Sequence, residues 1–390
     1  MSISVVSLLE KLVGIPSVFP PGDTSAICTT IAAYLKDWGY AVELVSRLSG
    51  FVNVVARMGN PANGPCVVFN SHIDTVSHGR DADWHTPPYT LSDITGGRLA
   101  GLGAANCKGS AATHLWLAHL LAQRGGPEKG EVVFTFVGDE ESLGPNGTCY
   151  LAESGLVKPD ILILGAPTSN QLVVRERGVM WVGLTVYGKG AHAGAPETGD
   201  NAILKLMHLL SHLQAELAPR LASRTTGVLR STMNIGTITG GANTNVVPAQ
   251  AYATIDRRLL PEVESVEEAM SEIAMLLAVS GVPGDDYRLE LLTGTNGFSA
   301  ASDSAVVQAF RTAGRAVSGS EPQMVEALGA SDGRHFSDQE IQIVNFGPGE
   351  GEQGHAPNES VSRIELETAC LVLEKVLAHL TGYRSWPCKP

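Results

Sequence analysis

The sequence predicts an α/β fold: a mainly parallel sheet with helices on both faces, interrupted by an inserted α+β domain of ferredoxin-like order. Three observations carry this reading. Short β-rich runs alternate with amphipathic helical stretches across residues 5–164, the pattern of parallel strands joined by helical crossovers. Near Gly178 the order changes to β-α-β-β-α-β, and after Gly294 the first pattern resumes. A chain of 390 residues is also long for one core, so two domains are expected, 1–177 plus 294–390 and the insert 178–293.

Taken in order, apolar residues recur at helical spacing over 5–13 and 24–38, and Gly39 stands where a helix C-cap would. Strands follow over 41–45, 52–56 and 66–69. A helix is expected over 110–124, a buried strand over 131–137, then a short helix and a strand over 161–164. The insert reads as strands at 179–187, 231–238, 249–259 and 287–292, with helices at 201–217 and 263–279. A helix at 302–317, a strand at 341–346 and a helix at 362–380 complete the pattern.

Composition narrows the function. Hydrophobic content of 44%, charged content of 17% and 43 glycines describe a globular, loop-rich protein rather than a coiled or disordered one. A net charge of -13 leaves no basic stripe to displace counterions from phosphate, so no nucleic-acid partner is expected. A small anionic substrate is still admitted, because a few local arginines outweigh a diffuse negative surface at short range. The opening residues lack a basic stretch before an apolar run, and no window approaches a membrane span. A cytoplasmic protein without a membrane partner is expected. Six cysteines with no CxxC pair suggest neither a disulfide framework nor a thiolate metal site.

The chemistry gathers at strand ends. Asp139-Glu140-Glu141 follows the apolar run 131–137, and adjacent carboxylates reached through apolar chain ask for a cation. Alternation along an extended chain would send Glu140 and Glu141 to opposite faces, one toward a metal and the other toward a substrate. His72-Ile73-Asp74 sets an imidazole and a carboxylate two residues apart, the spacing of a ring fixed by an acid. The stretch 101–110 is a glycine-rich turn opening a helix, and Gly165-Ala166-Pro167-Thr168-Ser169 ends the next strand. Gly347-Pro348-Gly349 leads through a loop to His355-Ala356-Pro357-Asn358-Glu359.

In this order and spacing the stretches resemble the zinc-dependent aminopeptidase and amidohydrolase family that includes acetylornithine deacetylase, succinyl-diaminopimelate desuccinylase, carboxypeptidase G and aminoacylase. The resemblance spans essentially the whole chain. It implies two zinc ions, bridged by a carboxylate and a water, that hydrolyse an amide. His72 would bind one zinc with Asp74 behind it, Glu141 and His355 would bind the other, and Glu140 would be the general base. The insert would be the family's dimerisation or lid domain. Its His192 would reach the partner's active site in a homodimer, and Asn245 would touch substrate. Arg177, Arg258 and Arg334 look like the carboxylate-binding set of the desuccinylase branch, which implies a small anionic acyl amino acid as substrate.

Two positions depart from the family's pattern. Asn106 stands at the bridging Asp, and Ala166 at a Glu or Asp ligand. At most one weakly held zinc is then expected, since only one carboxylate ligand remains to offset two dications. Three readings stay open. The substitutions inactivate a hydrolase of acyl amino acids; or the chain is a natural metal-independent relative doing acyl transfer or cyclisation with Glu140 or His72 as acid and base; or it is a ligand-binding protein on the same scaffold.

Overall fold

The computed structural model describes residues 3–383; Met1, Ser2 and residues 384–390, Cys388 among them, lie outside the described residues. The chain divides into two compact units. The first takes the described residues up to Val174, then Ala300–Val325 and the residues from Ser331 onward; the second takes Arg175–Ser299 and Glu326–Ala330.

The first unit is built on a mixed sheet. Its strands lie in the order Ala41–Val45, Asn53–Asn60, Gly130–Val137, Cys66–His72, Ile161–Leu164, Gln342–Asn345, Leu172–Glu176. Four neighbours in the middle, from Gly130–Val137 to Gln342–Asn345, run parallel. Every residue of Cys66–His72 is buried, which requires cover on both faces and explains the unbroken apolar runs. The cover comes from helices Val5–Val13, Ser25–Asp37, Lys108–Gln123, Ala305–Ser318 and Arg363–Thr381, whose apolar faces join one core with Val67, Phe69, Phe134 and Ile163. Parallel strands all present their carboxyl ends at one edge, and that edge carries the chemistry.

The second unit is a four-stranded antiparallel sheet, Thr232–Gly240, Gln250–Leu259, Gly178–Tyr187, Tyr287–Thr295 in that order. With helices Ala202–Ser223 and Val266–Ala278 between strands, the order is the ferredoxin-like one. Met180, Val182, Leu184 and Val186 face the helices and bury against Leu206, Leu213 and Ile273. The opposite face carries Trp181, Asp256 and Arg258, and Thr232–Gly240 is an edge strand.

The elements differ from the sequence reading in several places, three of which follow. Helix Lys108–Gln123 begins two residues early, inside the glycine-rich turn. Helix Ala202–Ser223 continues through Pro219, held by buried Leu217 and Leu221 on either side of it. Strand Leu172–Glu176 was not expected; its five residues are short and end in charge. Among the described residues no helix is long and apolar enough to cross a membrane.

Candidate active site

Four neighbouring strand ends deliver the candidate groups. Cys66–His72 ends in His72 itself. Gly130–Val137 ends three residues before Glu140, and Asp139 turns the chain with φ 72°. Asp139 is a staple for that turn: its buried carboxylate accepts hydrogen bonds from Asn146 N at 2.9 Å, Asn146 Nδ2 at 2.6 Å and the Ser142 hydroxyl. Ile161–Leu164 leads to Gly165-Ala166, and the Cys107 thiol donates to Gly165 O at 3.0 Å, which sets this turn against Asn106-Cys107. Gln342–Asn345 leads to the loop bearing His355, whose φ is 65°.

The opposite-face expectation for Glu140 and Glu141 is corrected. The strand stops at Val137, so alternation does not apply past it, and both side chains converge on His72: ligand atoms of His72, Glu140 and Glu141 lie within 4.8 Å of one another. His72 Nε2 lies 3.8 Å from Glu140 Oε2.

Asn106 occupies the middle. His72 Nε2 faces its Oδ1 at 3.3 Å, and its Nδ2 donates to Glu141 Oε1 at 2.9 Å. His355 Nε2 lies 2.8 Å from Glu141 Oε2. Behind this row Asp74, fully buried, joins both halves. Its Oδ2 accepts from Glu141 N at 3.1 Å, and its backbone O lies 3.2 Å from His72 Nδ1.

The surroundings set the charges. Burial pushes the Glu140 carboxyl well above the usual carboxylate range; Asp332 and Glu141 add to this, while His72 and Arg334 oppose it. Burial works against a charge on His72, but the fields of Cys107 and Glu140 and the Asp74 contact outweigh it and raise its pKa well above 6.5. Asp332 is held by the Thr148 hydroxyl at 2.7 Å, and Thr148 Oγ1 in turn accepts from Asn70 Nδ2 at 3.0 Å. Arg334 is buried, donates from Nη1 to Ser331 O at 3.0 Å, and has a buried Nη2 with no hydrogen-bond partner among the described residues.

Glu359 carried no role in the sequence reading. In the structure its buried carboxylate accepts from three backbone N–H groups, Gly103 at 2.8 Å, Ala105 at 2.9 Å and Asn106 at 2.6 Å. One side chain thus fixes the turn bearing Asn106 and, four residues along its own chain, the loop bearing His355. Its position at the end of the His355 stretch was the available signal.

The remaining candidates lie in the second unit. His192 and Asn245 are brought together: Ala191–His192 pairs with Val246–Val247, and Ala193 N donates to Asn245 O at 3.0 Å. Arg258 Nε donates to Asp256 Oδ1 at 2.9 Å, and Trp181 Nε1 donates to the other oxygen at 2.7 Å. Arg177 donates to two backbone carbonyls, Arg230 at 3.0 Å and Leu328 at 2.6 Å. Burial, then the charge of Arg258, lowers its pKa. Arg257, by contrast, is fully buried on Glu264 at 2.7 Å and serves the core of this unit.

The sequence pattern of peptidase family M20/M25/M40 matches residues 68–379. The chain belongs to this family. It is similar to the succinyl-diaminopimelate desuccinylase of Methylobacterium radiotolerans, 30% identical over 388 residues and covering 96% of each chain. The M20 fold recurs in a Sulfolobus solfataricus metallo-carboxypeptidase, with a TM-score of 0.77 at 18% identity over 97% of this chain and 99% of that one. It recurs also in a Bacillus subtilis dinuclear metal binding peptidase, with a TM-score of 0.70 at 17% identity over 97% and 98%. As an M20 member the chain is a hydrolase of amide bonds, with a desuccinylase and peptidases among its relatives.

An M20 centre that binds two metals sets a test for these residues. Two dications about 4 Å apart repel by roughly 17 kcal/mol at an effective dielectric of about 20, so a pair persists only around bridging negative charge. Here the central group is the neutral Asn106 amide, whose N–H side faces Glu141, and Ala166 has no ligand atom. The donor set does not fit an ion pair. Among the described residues, His72, Glu140 and Glu141 bring three ligand atoms within 4.8 Å of one another, a group that could hold a single ion.

Proposed function

We propose that the chain acts on N-acyl amino acids in the manner of a desuccinylase or deacetylase, with Glu140 as the proton-transferring group. The observation that carries this is the placement of Glu140: a carboxyl of raised pKa, 3.8 Å from His72 at the carboxyl edge of the sheet. Such a group takes a proton from an attacking water and returns it to the leaving amine. Arg334, buried with an unpaired Nη2, offers the guanidinium that a substrate carboxylate needs. The 30% identical relative named as a succinyl-diaminopimelate desuccinylase supports an anionic acyl group.

The test is a panel of N-succinyl and N-acetyl amino acids, assayed with the chain as it stands and with Glu140→Gln. Hydrolysis of a succinyl substrate, reduced about a hundredfold or more by the substitution, is the expected result. Equal turnover by both proteins would remove Glu140 from its role.

A second reading is favoured by Asn106. With a neutral amide in the middle of the centre, the same scaffold suits metal-independent acyl transfer, cyclisation or ligand binding. Turnover that persists in a chelator, with a product other than free acid and amine, would select it.

The chain is further inferred to form a homodimer through 178–293. The edge strand Thr232–Gly240 supports this, since it is largely exposed and leaves backbone groups unpaired on its outer side. Light scattering is expected to give twice the 41.0 kDa chain mass; a monomer at micromolar concentration would refute the pairing.

A further inference from the structure

Asn106 does more than fail to bridge ions. The side chains form a continuous row: Asp74, His72, Asn106, Glu141, His355. His72 Nδ1 lies 3.2 Å from Asp74 O and its Nε2 3.3 Å from Asn106 Oδ1. Asn106 Nδ2 donates to Glu141 Oε1 at 2.9 Å, and His355 Nε2 lies 2.8 Å from Glu141 Oε2. The polarity of the amide fits His72 and Glu141, with its carbonyl toward an imidazole nitrogen and its N–H toward a carboxylate, and its Nδ2 also lies 3.2 Å from His355 Nε2. An aspartate here would set a second carboxylate against Glu141 and would need a cation between them. The backbone below holds the amide in register: Asn106 N donates to Glu359 Oε1 at 2.6 Å, and Glu141 N to Asp74 Oδ2 at 3.1 Å. Ala166, in the turn that Cys107 touches through Gly165 O, adds no competing carboxylate.

We propose that in this chain the Asn106 amide takes the place of an ion pair, joining the His72 half of the centre to the Glu141 and His355 half by hydrogen bonds alone. The centre is therefore assembled before any cation arrives, and a chelator leaves it intact. Sequence lent no sign of this beyond the residue type, because the fit depends on which end of the amide meets which neighbour.

The experiment uses the full chain, zinc as the probe, and no substrate, so its outcome is independent of the acyl amino acid reading. Metal content after equilibration with zinc and gel filtration, and melting temperature with and without a chelator, are measured for three proteins. The chain as it stands is expected to retain at most about one weakly held ion, and its melting temperature to move less on chelation than that of the double variant. Asn106→Asp combined with Ala166→Glu is expected to retain about two ions, the number a paired centre holds, and to lose several degrees on chelation, since a ligand bound only by the folded state stabilises it. Asn106→Leu, similar in size but without the amide, is expected to retain no more metal and to melt several degrees lower. Two ions on the unsubstituted chain, or a chelator effect on it as large as on the double variant, would overturn the proposal. So would a folded double variant that takes up no more zinc than the original, or an Asn106→Leu protein that melts unchanged.

Discussion

Arg334 places a guanidinium inside the protein with only part of its donor set used. The nearest carboxylate oxygen, Asp332 Oδ1, is 3.9 Å from Nη2, and Asp332 is already engaged by Thr148. A buried charge with a free donor costs stability unless something gains from it. An incoming carboxylate would gain, through a charge-assisted hydrogen bond. Arg334→Ala is therefore expected to raise KM for a succinyl substrate about tenfold or more while changing kcat little, because the contact holds ground state and transition state alike. Steady-state kinetics on that substrate check it; a fall in kcat alone would move Arg334 from binding to chemistry. Glu140 shows the complementary case, in which burial and the charges of Asp332 and Glu141 raise the proton affinity of a carboxylate that has to take a proton from water.

At the scale of elements, the site is held by turns, and Glu359 is the strongest of their ties. Its carboxylate satisfies three N–H groups in a turn where Gly103 has φ 80° and a Cβ would stand 2.9 Å from Thr75 Cγ2. Removing it strands those donors at about 1–3 kcal/mol each. Glu359→Ala is expected to lower unfolding free energy by several kcal/mol by that reckoning, and to speed amide exchange at Gly103, Ala105 and Asn106 first. Exchange that quickens evenly across the chain would mean that Glu359 supports the fold and not this turn. The strands and helices that aim the turns were legible in the sequence, because buried strands such as Cys66–His72 read as unbroken apolar runs and helices as period-3.6 faces. The turns themselves were legible only as residue types. Glu140 and Glu141 were expected on opposite faces because the strand was extended past Val137, and the positive φ of Asp139 that brings them together leaves no periodic trace. The role of Glu359 was legible only as its place beside His355, because its partners are backbone groups more than 250 residues away in the chain.

For the whole molecule, two histidines of lowered pKa, the buried His114 and the half-buried His335, tie stability to pH. His114 is fully buried beside the Ser71 hydroxyl at 2.8 Å and against the Phe69 ring, with its Nε2 unpartnered among the described residues; burial brings its pKa down to about 3. His335 is brought to about 3 by burial first and by the charge of Arg334 second. An unfolded histidine titrates near 6.5. Between about 6.5 and 3 the unfolded chain therefore binds protons that the folded chain refuses, and stability falls as pH falls, by up to about 1.4 kcal/mol per pH unit for each histidine. Glu140, Asp332 and Glu359 act in the opposite sense. Burial raises their pKa values, so the folded state binds protons more readily there and gains stability as pH falls toward the ordinary carboxylate range. The two effects overlap, so the net slope of the unsubstituted chain does not isolate the histidines. The difference between proteins does. In urea unfolding at pH 7, 6, 5 and 4, His114→Gln is expected to lose about 1.4 kcal/mol per pH unit less than the original chain below pH 6, whatever its stability at pH 7. Parallel curves for the two proteins would show that His114 charges in the folded state, and that its enclosure is looser than the packing against Phe69 and Ser71 implies.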